Sequence, residues 1–369
     1  MALLALAVSV LALIPAMSEQ SDAAPEKCGN NVYYEAAGST LRITGSGPMY
    51  DYGSTDAPWT KMFMIESVVI EYGVTHIGDR AFYGCWMETV SIPSSVKSIG
   101  EKAFSNSSLN SITLPSSVKT IGEGAFSRSA YIKSVSIPNG VAVIEDETFR
   151  GCSALSSVSI PSSVKTIGEK AFYGCQNLTN VAIPASVSLI GEEAFSKSGL
   201  GSVTVPDSVS VMGDGVFSGC RSLETAVVGN SVKAIPDETF YGCLNLTSVK
   251  LGGSVAEIGE KAFYWCSFLE SVDMPGTVTA VDDMAFYGCM ALASAGDLGS
   301  VKSFGEGSFY GCPVSMSASV PAKARTAAGL GYDGLPDYSE LEPAEKRLYD
   351  AVAAAIEKGT GSSVKIPAE

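Results

Sequence analysis

The chain has 369 residues, of which 46% are hydrophobic and only 17% charged, so it can fill a long core while leaving few charges for its surface. Its formal net charge of -15 repels phosphate backbones and anionic lipid headgroups, which argues against nucleic acid as a partner. A catalytic pair with histidine could be built only at the single histidine, His76, and no glycine-rich loop follows a strand and opens a helix as phosphate binding requires.

Residues 1–16 form an apolar run without charge, and small residues follow at Ser21 and Ala23. This pattern is typical of a secretory signal peptide cleaved after Ala23, so we assign residues 1–23 to it. No Lys or Arg precedes the run, and a retained N-terminal membrane anchor is the alternative interpretation. Cleavage would release a secreted or cell-surface protein whose mature chain has no membrane span.

Phenylalanine recurs at a nearly constant interval through the middle of the chain. These residues lie 22 or 23 positions apart: Phe82, Phe104, Phe126, Phe149, Phe172, Phe195, Phe217, Phe240, Phe263, Phe286 and Phe309. Such a period indicates a solenoid, because each unit is too short to bury its own apolar face and buries it against its neighbours. We expect a repeat solenoid of about eleven coils at residues 67–320, preceded by a capping segment at residues 24–66.

Residues 164–184 show the repeat unit most clearly. The apolar positions of residues 178–183 alternate, which suits a strand with one face inward, and residues 164–167 form a shorter extended edge on the opposite side. Between these pieces, residues 169–172 are predicted to form a single helical turn that ends at Gly174, because glycine adopts the left-handed conformation without steric cost. Each parallel strand adds about 4.8 Å, so we predict a rod or shallow arc on the order of 50 Å long.

The unit Leu-x-x-Val-x-Ile-Pro followed by Ser-Val-Lys-x-Ile-Gly-Glu-Lys-Ala-Phe-x-Gly-Cys resembles the BspA-type leucine-rich repeat of microbial surface proteins, over residues 67–314. The stretch from Cys28 to Trp59 is similar to the leader that commonly opens arrays of this family. The resemblance implies a curved, exported solenoid without catalytic residues, often associated with adhesion to host or neighbouring-cell molecules. The expected fold is a leucine-rich-repeat-like parallel β array with short helical or turn corners, an N-terminal β cap and a C-terminal helix.

Most of the cysteines share one position of the repeat, three residues after the phenylalanine. This cysteine ladder consists of Cys85, Cys152, Cys175, Cys220, Cys243, Cys266, Cys289 and Cys312. The units without cysteine hold Ser107, Ser129 and Ser198 at the same position, and a small buried group at a corner explains both residue types. Disulfides and metal sites need pairs or tetrads in particular geometries, so we predict buried free thiols and no metal site.

An acidic residue stands three positions before every phenylalanine. This acid ladder consists of Asp79, Glu101, Glu123, Asp146, Glu169, Glu192, Asp214, Asp237, Glu260, Asp283 and Glu306. Carboxylates one coil apart could share divalent cations, but calcium loops place several ligands within a few residues and these units supply one or two. We favour capping, in which an acid at the start of each helical turn accepts backbone N–H groups and meets the positive end of the local dipole.

Tyrosine directly follows the phenylalanine in six units, four of which are consecutive at the C-terminal end of the array. Aromatic rows with a polar edge bury large areas at low side-chain entropy and are common contact surfaces for protein and sugar. We predict a binding surface for an extracellular protein or glycan at the C-terminal tyrosine edge, which is formed by Tyr241, Tyr264, Trp265, Tyr287 and Tyr310. The alternative is that these rings stack on one another and only seal the corner.

The outward positions of the predicted strands are mostly small and carry little charge. They are Ser91, Thr113, Ser136, Ser159, Ala182, Thr204, Val227, Lys250 and Asp273. These residues predict a flat sheet face without an aromatic anchor. His76 stands where other copies carry Lys or Ser, and we expect it to be a solvated surface residue rather than a catalytic one.

Composition changes beyond the array, and residues 321–369 are assigned to a linker and a C-terminal helix. The helix is predicted at residues 343–359, with proline near its first turn and Gly359 at its end. These features predict an exported, non-enzymatic binding or adhesion protein without a cofactor. One alternative is a structural scaffold or spacer that presents a C-terminal module. A carboxylate-based hydrolase is a remoter alternative, because it would need a cleft that a one-dimensional fold does not readily form.

Overall fold

The computed structural model describes residues 24–53, 57–62, 65–296 and 298–316, together with residues 320, 324 and 346. The predicted signal peptide at residues 1–23 lies outside the described residues, as does the predicted helix at residues 343–359 apart from Lys346. Within the described part of the chain, no helix is both long and apolar enough to pass through a lipid bilayer.

The first three strands form an antiparallel meander at the start of the array. They are Glu26–Lys27, Val32–Ala37 and Thr40–Gly45. The third of them pairs in parallel with Ser67–Ile70, so that Leu41 lies opposite Val68. The meander therefore covers the first edge of the array and pairs its backbone groups. It is the β cap that the sequence predicts.

From this cap onward the chain winds as a parallel β-solenoid with two strand-bearing faces. The strands of the first face are Ser67–Ile70, Thr89–Ser91, Ser134–Ser136, Ser157–Ser159, Ser202–Val205, Thr225–Val228, Ser248–Lys250 and Ser271–Asp273. Those of the second face are Gly47–Pro48, Val74–Ile77, Ser98–Ile99, Thr120–Ile121, Val143–Ile144, Thr166–Ile167, Leu189–Ile190, Val211–Met212, Ala234–Ile235, Glu257–Ile258, Ala280–Val281 and Ser303–Phe304. Equivalent residues of successive coils pair, as Val203 does with Ala226 on the first face. Both extended pieces of the predicted unit therefore form strands in most coils, but residues 178–183 of the clearest unit and residues 112–114 do not form a first-face strand.

A file of aromatic rings runs through the core. All eleven repeat phenylalanines are fully buried. The centroids of neighbouring rings lie 4.8 to 5.9 Å apart, in offset stacks. Trp59, in the 3-10 helix Pro58–Lys61, extends the file with its ring 5.5 Å from that of Phe82. The period of the sequence is thus the period of one continuous core.

The corner that holds each phenylalanine is a series of turns and not the single helical turn that the sequence predicts. Two positions of every corner have positive φ: the residue two before the phenylalanine and the residue two after it. In the clearest unit these are Lys170, at φ 53°, and Gly174, at φ 69°. The expectation that Gly174 adopts the left-handed conformation is confirmed, but a left-handed Lys170 is incompatible with a right-handed helical turn.

Hydrogen bonding explains why the corner avoids a helix. The N–H groups of Lys170 and Phe172 donate to the carbonyl oxygens of Glu192 and Ala194 in the next coil, at 2.8 and 2.7 Å. The N–H group of Tyr173 instead closes a turn onto the carbonyl oxygen of Lys170 at 3.1 Å. Alternate N–H groups therefore bind the next coil, which pairs corner backbones throughout the stack. A helical turn would direct its N–H groups into its own coil and leave those carbonyl groups unpaired.

The array ends less regularly than it begins. Two further 3-10 helices follow, Leu298–Ser300 and Pro313–Met316, and the first face is reduced to an isolated bridge between Ser271 and Ser294. This agrees with the sequence, because Ala295 and Asp297 occupy the positions where most earlier coils carry larger apolar strand residues. Past the last repeat, the N–H group of Phe309 donates to the carbonyl oxygen of Ala324 at 2.8 Å. The chain beyond Phe309 thus still pairs with the final corner.

Candidate functional site

The residues of the C-terminal tyrosine edge are brought together by the corner geometry. The rings of Tyr241, Tyr264, Tyr287 and Tyr310 form a second file outside the phenylalanine file, with successive centroids 5.1, 5.1 and 5.0 Å apart. Equivalent residues of parallel coils superpose along the solenoid axis, so the stacking follows from the repeat. The sequence therefore identified a real cluster of rings.

The members of this cluster differ in how deeply they are buried. Tyr264 is 3% exposed and Trp265 is 2% exposed, whereas Tyr241, Tyr287 and Tyr310 are half-buried. The backbone of Trp265 is in the left-handed conformation. Its indole ring lies over Gly288 of the next coil, and a Cβ atom added to Gly288 would come 3.3 Å from that ring. The arrangement agrees with the stacking alternative for Tyr264 and Trp265. A binding role for the edge stays a prediction.

Among the residues that the structure describes, the most exposed aromatic side chains lie near the N-terminal end of the array, where the sequence analysis predicts no site. Trp86 and Tyr72 are each 79% exposed and Tyr131 is 61% exposed. Trp86 and Tyr131 belong to the loop that joins the corner to the first face. Hydrogen bonds stack these loops, from Ser108 N–H to the carbonyl of Cys85 and from Ala154 N–H to the carbonyl of Ala130. Ser107 and Ser129 join the second and third coils in the same region at 3.0 Å, so Trp86 and Tyr131 lie along one edge of the stack, two coils or about 10 Å apart along its axis.

We call Trp86 and Tyr131 the N-terminal aromatic edge. A sequence signal for it existed, since Trp86 directly follows the cysteine-ladder position, where the units at Cys152 and Cys175 carry Ser153 and Gln176. A tryptophan that replaces small or polar residues at an outward loop position is not needed for the repeat. Large exposed rings of this kind are common anchors in binding surfaces.

A cation cluster surrounds the tyrosine of the fifth unit. The guanidinium of Arg150 and the ammonium of Lys197 lie 5.6 and 5.5 Å from the ring centroid of Tyr173. Arg150 also lies 3.6 Å from a carboxylate oxygen of Glu147. Cation–π contacts of this type fix long side chains along the corner.

The first sheet face carries mostly small side chains at its outward positions, as predicted. All nine outward positions that the sequence identified, from Ser91 to Asp273, are exposed. Their inward neighbours differ along the array, because Val203 and Val249 are buried while Val90 and Val158 are only partly buried. The face offers hydroxyl groups but no aromatic ring among these positions.

The cysteine ladder lies in the core beside the phenylalanine file. Seven of its members are buried and Cys85 is half-buried, and all nine cysteines of the chain are free thiols. The thiol of Cys152 donates to the carbonyl oxygen of Phe126 in the preceding coil at 3.1 Å, and the thiol of Cys243 does the same to Phe217 at 3.1 Å. Ser129 makes the equivalent bond to Phe104 at 2.6 Å, which explains why serine replaces cysteine here. Burial raises the pKa of the Cys152 thiol to about 12, so it is not a nucleophile at neutral pH.

The acid ladder caps backbone N–H groups, but in the next coil and not in its own corner. Oδ1 of Asp146 accepts the N–H of Glu169 at 2.7 Å, and Oδ1 of Asp237 accepts the N–H of Glu260 at 2.7 Å. The predicted capping of a helical turn is wrong in this respect, because the corner has no helical turn to cap. Glutamates of the ladder contact cations instead, as Glu169 does with Lys170 at 2.6 Å. Four of the five aspartates of the ladder, Asp79, Asp146, Asp237 and Asp283, thus join consecutive coils.

Contacts on both sides hold the ring of His76, which is not a merely solvated surface residue. Its side chain is 26% exposed. Nδ1 lies 2.7 Å from Oγ of Ser98, with which His76 is in register, and Nε2 lies 3.4 Å from Oδ1 of Asp51. The expectation of a freely solvated position failed because the capping segment folds back and brings Asp51 to the first coil.

The chain is similar to several solved bacterial leucine-rich repeat proteins. A leucine-rich repeat protein from Bacteroides ovatus is 26% identical to the chain with a TM-score of 0.54, and the match covers 76% of this chain and 90% of that one. A leucine-rich repeat protein from Eubacterium ventriosum is 23% identical with a TM-score of 0.48, covering 78% of this chain and 94% of that one. A leucine rich cell surface protein from Faecalibacterium prausnitzii is 26% identical with a TM-score of 0.40, covering 73% and 93%. No curated protein matches the chain.

One family model matches most of the chain. It describes the BspA type leucine rich repeat region and matches in six copies, over residues 60–166, 142–267 and 188–317. These matches contain every repeat phenylalanine, both faces of the solenoid and the acid and cysteine ladders. The likeness to the Bacteroides protein supports the same solenoid. The chain therefore belongs to the BspA-type leucine-rich repeat family.

Proposed function

We propose that this protein is an exported, non-enzymatic binding protein that contacts an extracellular protein or glycan through the side of its solenoid. Membership of the BspA-type family supports a binding role, because stacked repeats present extended side surfaces and family arrays are often associated with adhesion. The apolar segment at residues 1–16, which reads as a signal peptide, supports export.

The N-terminal aromatic edge is the surface that we assign to recognition. The observation that carries this assignment is the exposure of Trp86, 79%, and Tyr131, 61%, in a fold that fully buries all eleven repeat phenylalanines. Exposed rings cost solvation free energy unless a partner covers them, and they bring large contact area with few rotatable bonds. Tyr83, half-exposed on the adjacent corner of the first coil, widens the same region.

The C-terminal tyrosine edge is the second candidate surface. Its half-buried rings are Tyr241, Tyr287 and Tyr310. Tyr287 and Tyr310 are neighbours in the file, whereas the buried Tyr264 lies between Tyr241 and Tyr287. Tyr264 and Trp265 would support these rings from within rather than touch a ligand. A shallow row of ring rims is a weaker anchor than two projecting rings, so we rank it second.

An array of purified extracellular matrix proteins and defined glycans tests the proposal. The chain without residues 1–23 is applied first, and each positive interaction is then measured with Trp86→Ala plus Tyr131→Ala. We expect affinity to fall by at least about 2 kcal/mol, as for truncated hot-spot aromatics, with unchanged melting temperature. Val211→Ala plus Val227→Ala is the matched control, because these side chains are also exposed but lie on the two sheet faces. Binding that survives the aromatic double variant, or an array without any interaction, would contradict the assignment.

Export is tested separately. Cells that make the full chain are fractionated, and the protein in the medium or on the surface is analysed by N-terminal sequencing. We expect a chain that starts after Ala23. Retention of residues 1–23 on a membrane-bound chain would support the anchor alternative instead.

A further inference from the structure

Three side chains of metal-ligand type meet where the capping segment joins the first coil. Asp51 follows the short strand Gly47–Pro48, His76 lies in the strand Val74–Ile77, and Asp79 begins the first corner. One potential ligand atom of each lies within 4.8 Å of the others. The set contains the chain's sole histidine, and its members come from three separate stretches of backbone.

The imidazole of His76 is oriented as a metal ligand would be. Nδ1 lies 2.7 Å from Oγ of Ser98, which holds the ring from the side of the second coil. When Nδ1–H donates to this hydroxyl, the lone pair of Nε2 faces the two carboxylates, and Asp51 Oδ1 lies 3.4 Å away. A second hydrogen bond that fixes ring orientation and tautomer is the usual accompaniment of a metal-bound histidine.

Backbone hydrogen bonds place the two carboxylates. Oδ1 of Asp51 accepts the N–H of Asp79 at 2.9 Å, and Oδ1 of Asp79 accepts the N–H of Glu101 at 2.7 Å. Each bond uses one carboxylate oxygen and leaves the group a second oxygen for a cation. The two acids are thus fixed by the kind of coil-to-coil bond that Asp146, Asp237 and Asp283 also make, independently of any ion.

The fourth coil provides an internal comparison. Asp146 there makes the same bond to the next coil, at 2.7 Å from the N–H of Glu169, but the position equivalent to His76 holds Val143. Such carboxylates offer only hard oxygen ligands. The set at the first coil adds a nitrogen ligand, and one imidazole with carboxylate oxygens suits zinc and related first-row divalent ions better than calcium.

We propose that Asp51, His76 and Asp79 form a site for a divalent transition metal ion, with zinc as the probe ion and water in the remaining coordination positions. The ion would link the capping segment to the first coil, so it would bind the folded chain and stabilise it by mass action. The negative net charge of the chain favours the approach of a cation.

Zinc titration of the purified chain, after removal of metal with chelator, tests this site by calorimetry and by thermal unfolding. We expect one saturable site per chain and a higher melting temperature with zinc. His76→Gln and Asp51→Asn should each weaken zinc binding at least about tenfold and abolish the rise in melting temperature. Asp146→Asn is the matched control and should behave as the wild type. Calcium should not compete at equal concentration, because it does not favour the nitrogen ligand.

The outcomes separate this site from weaker explanations. Absence of saturable binding in the wild type would overturn the proposal. An equal loss of zinc affinity in the Asp146 variant would also overturn it, because it would point to general attraction of cations by the acid ladder. Zinc binding of wild-type strength by the His76 variant would do the same, because it would point to a thiol ligand such as Cys85. Asp51 is exposed, so its variant decides the matter if the His76 variant fails to fold.

Discussion

Trp59 donates its indole N–H to the carbonyl oxygen of Ala81 at 2.8 Å while its ring stacks on Phe82. In every later coil the corresponding carbonyl accepts the backbone N–H of the preceding phenylalanine, as that of Ala103 does from Phe82 at 2.7 Å. A single side chain thus replaces both the missing ring and the missing N–H group of a preceding coil. Trp59 of the capping segment therefore terminates both the file of stacked rings and the row of corner hydrogen bonds.

Trp59→Phe is expected to keep the stacking and lose the hydrogen bond. The free energy of unfolding should fall by about 1–3 kcal/mol, the cost of a buried acceptor without its donor. Trp59→Ala should cost more, about 3–5 kcal/mol, because it also leaves a cavity at the end of the ring file. Urea unfolding measures both. Trp86→Phe, at an exposed position, is the control, and an equal loss in that variant would refute the capping role.

The acid ladder predicts a difference between aspartate and glutamate. Asp237→Ala removes the acceptor of the Glu260 N–H, and the free energy of unfolding should fall by about 0.5–2 kcal/mol, as for a lost N-cap. Asp237→Asn keeps an acceptor oxygen and should be milder. Glu192→Ala, at an exposed glutamate of the same ladder, should stay within about 0.5 kcal/mol of the wild type. Equal effects of the two alanine variants in urea unfolding would show that coil-to-coil capping adds nothing.

Much of the fold could be predicted from the sequence, because packing of the core requires a constant repeat period. The phenylalanine spacing requires stacked coils, and the alternation of residues 178–183 specifies which side chains point inward. The corner was mispredicted because Glu-Lys-Ala-Phe favours a helix locally, whereas the next coil supplies better partners for its N–H groups. A clue was available, since glycine replaces Lys170 at the equivalent positions Gly124, Gly215 and Gly307. Glycine recurring there indicates positive φ.

The candidate surfaces were less predictable for a different reason. Repeat position shows that Tyr241, Tyr264 and Tyr287 lie in one row, but not how much of each ring the neighbouring coils cover. Exposure depends on side chains such as Met284 and Met290, which pack on Tyr264 and Trp265 from other coils. The contact between His76 and Asp51 could not be predicted from the sequence either, because it depends on the path of the irregular capping segment.

Asp282 predicts a measurable dependence of stability on pH. Burial, followed by the nearby carboxylate of Glu257, raises the pKa of Asp282 above its ordinary value. A carboxyl group whose pKa is higher in the folded state favours folding when protonated, and this advantage is lost as pH rises through the folded pKa. Asp282→Asn should therefore stabilise the protein at pH 7 by about 0.2–1 kcal/mol, the range for adjacent like charges. The gain should vanish below the unfolded pKa of about 4.

Melting temperatures between pH 3 and pH 7 test this sign. Asp273→Asn removes the same charge from the exposed sheet face and controls for the net charge of the chain. A gain that persists at the lowest pH, or an equal gain in the Asp273 variant, would show that the local environment of Asp282 is not the cause.

Thiol labelling should distinguish Cys85 from the other cysteines. It is half-buried, whereas the eight others are buried, so the native protein should label slowly at one site. Burial raises the pKa of Cys85 to about 12, and labelling should therefore accelerate with increasing pH. Cys85→Ser should abolish this native phase, and denaturant should release the remaining thiols without reductant. Rapid native labelling of several cysteines, or none after denaturation, would contradict the buried ladder of free thiols.

The double variant Tyr264→Ala with Tyr287→Ala distinguishes packing from recognition at the C-terminal tyrosine edge. Tyr264 is buried between two stacked rings, and its truncation opens a cavity beside Trp265. We expect the free energy of unfolding to fall by about 3–5 kcal/mol or more, as for other buried aromatic truncations, while the folded fraction keeps its affinity for any ligand found on the array. Chemical unfolding and binding below the melting transition measure the two quantities independently.

Tyr310→Ala completes this test, because Tyr310 is half-buried at the end of the file and its ring stacks on that of Tyr287. Its loss should change stability less than the loss of Tyr264, since fewer buried contacts disappear. If both variants spare binding while the Trp86 and Tyr131 variant weakens it, recognition lies at the N-terminal aromatic edge. A loss of affinity above about 2 kcal/mol in the C-terminal variants, with an unchanged melting temperature, would place the hot spot there and reverse the ranking of the two surfaces.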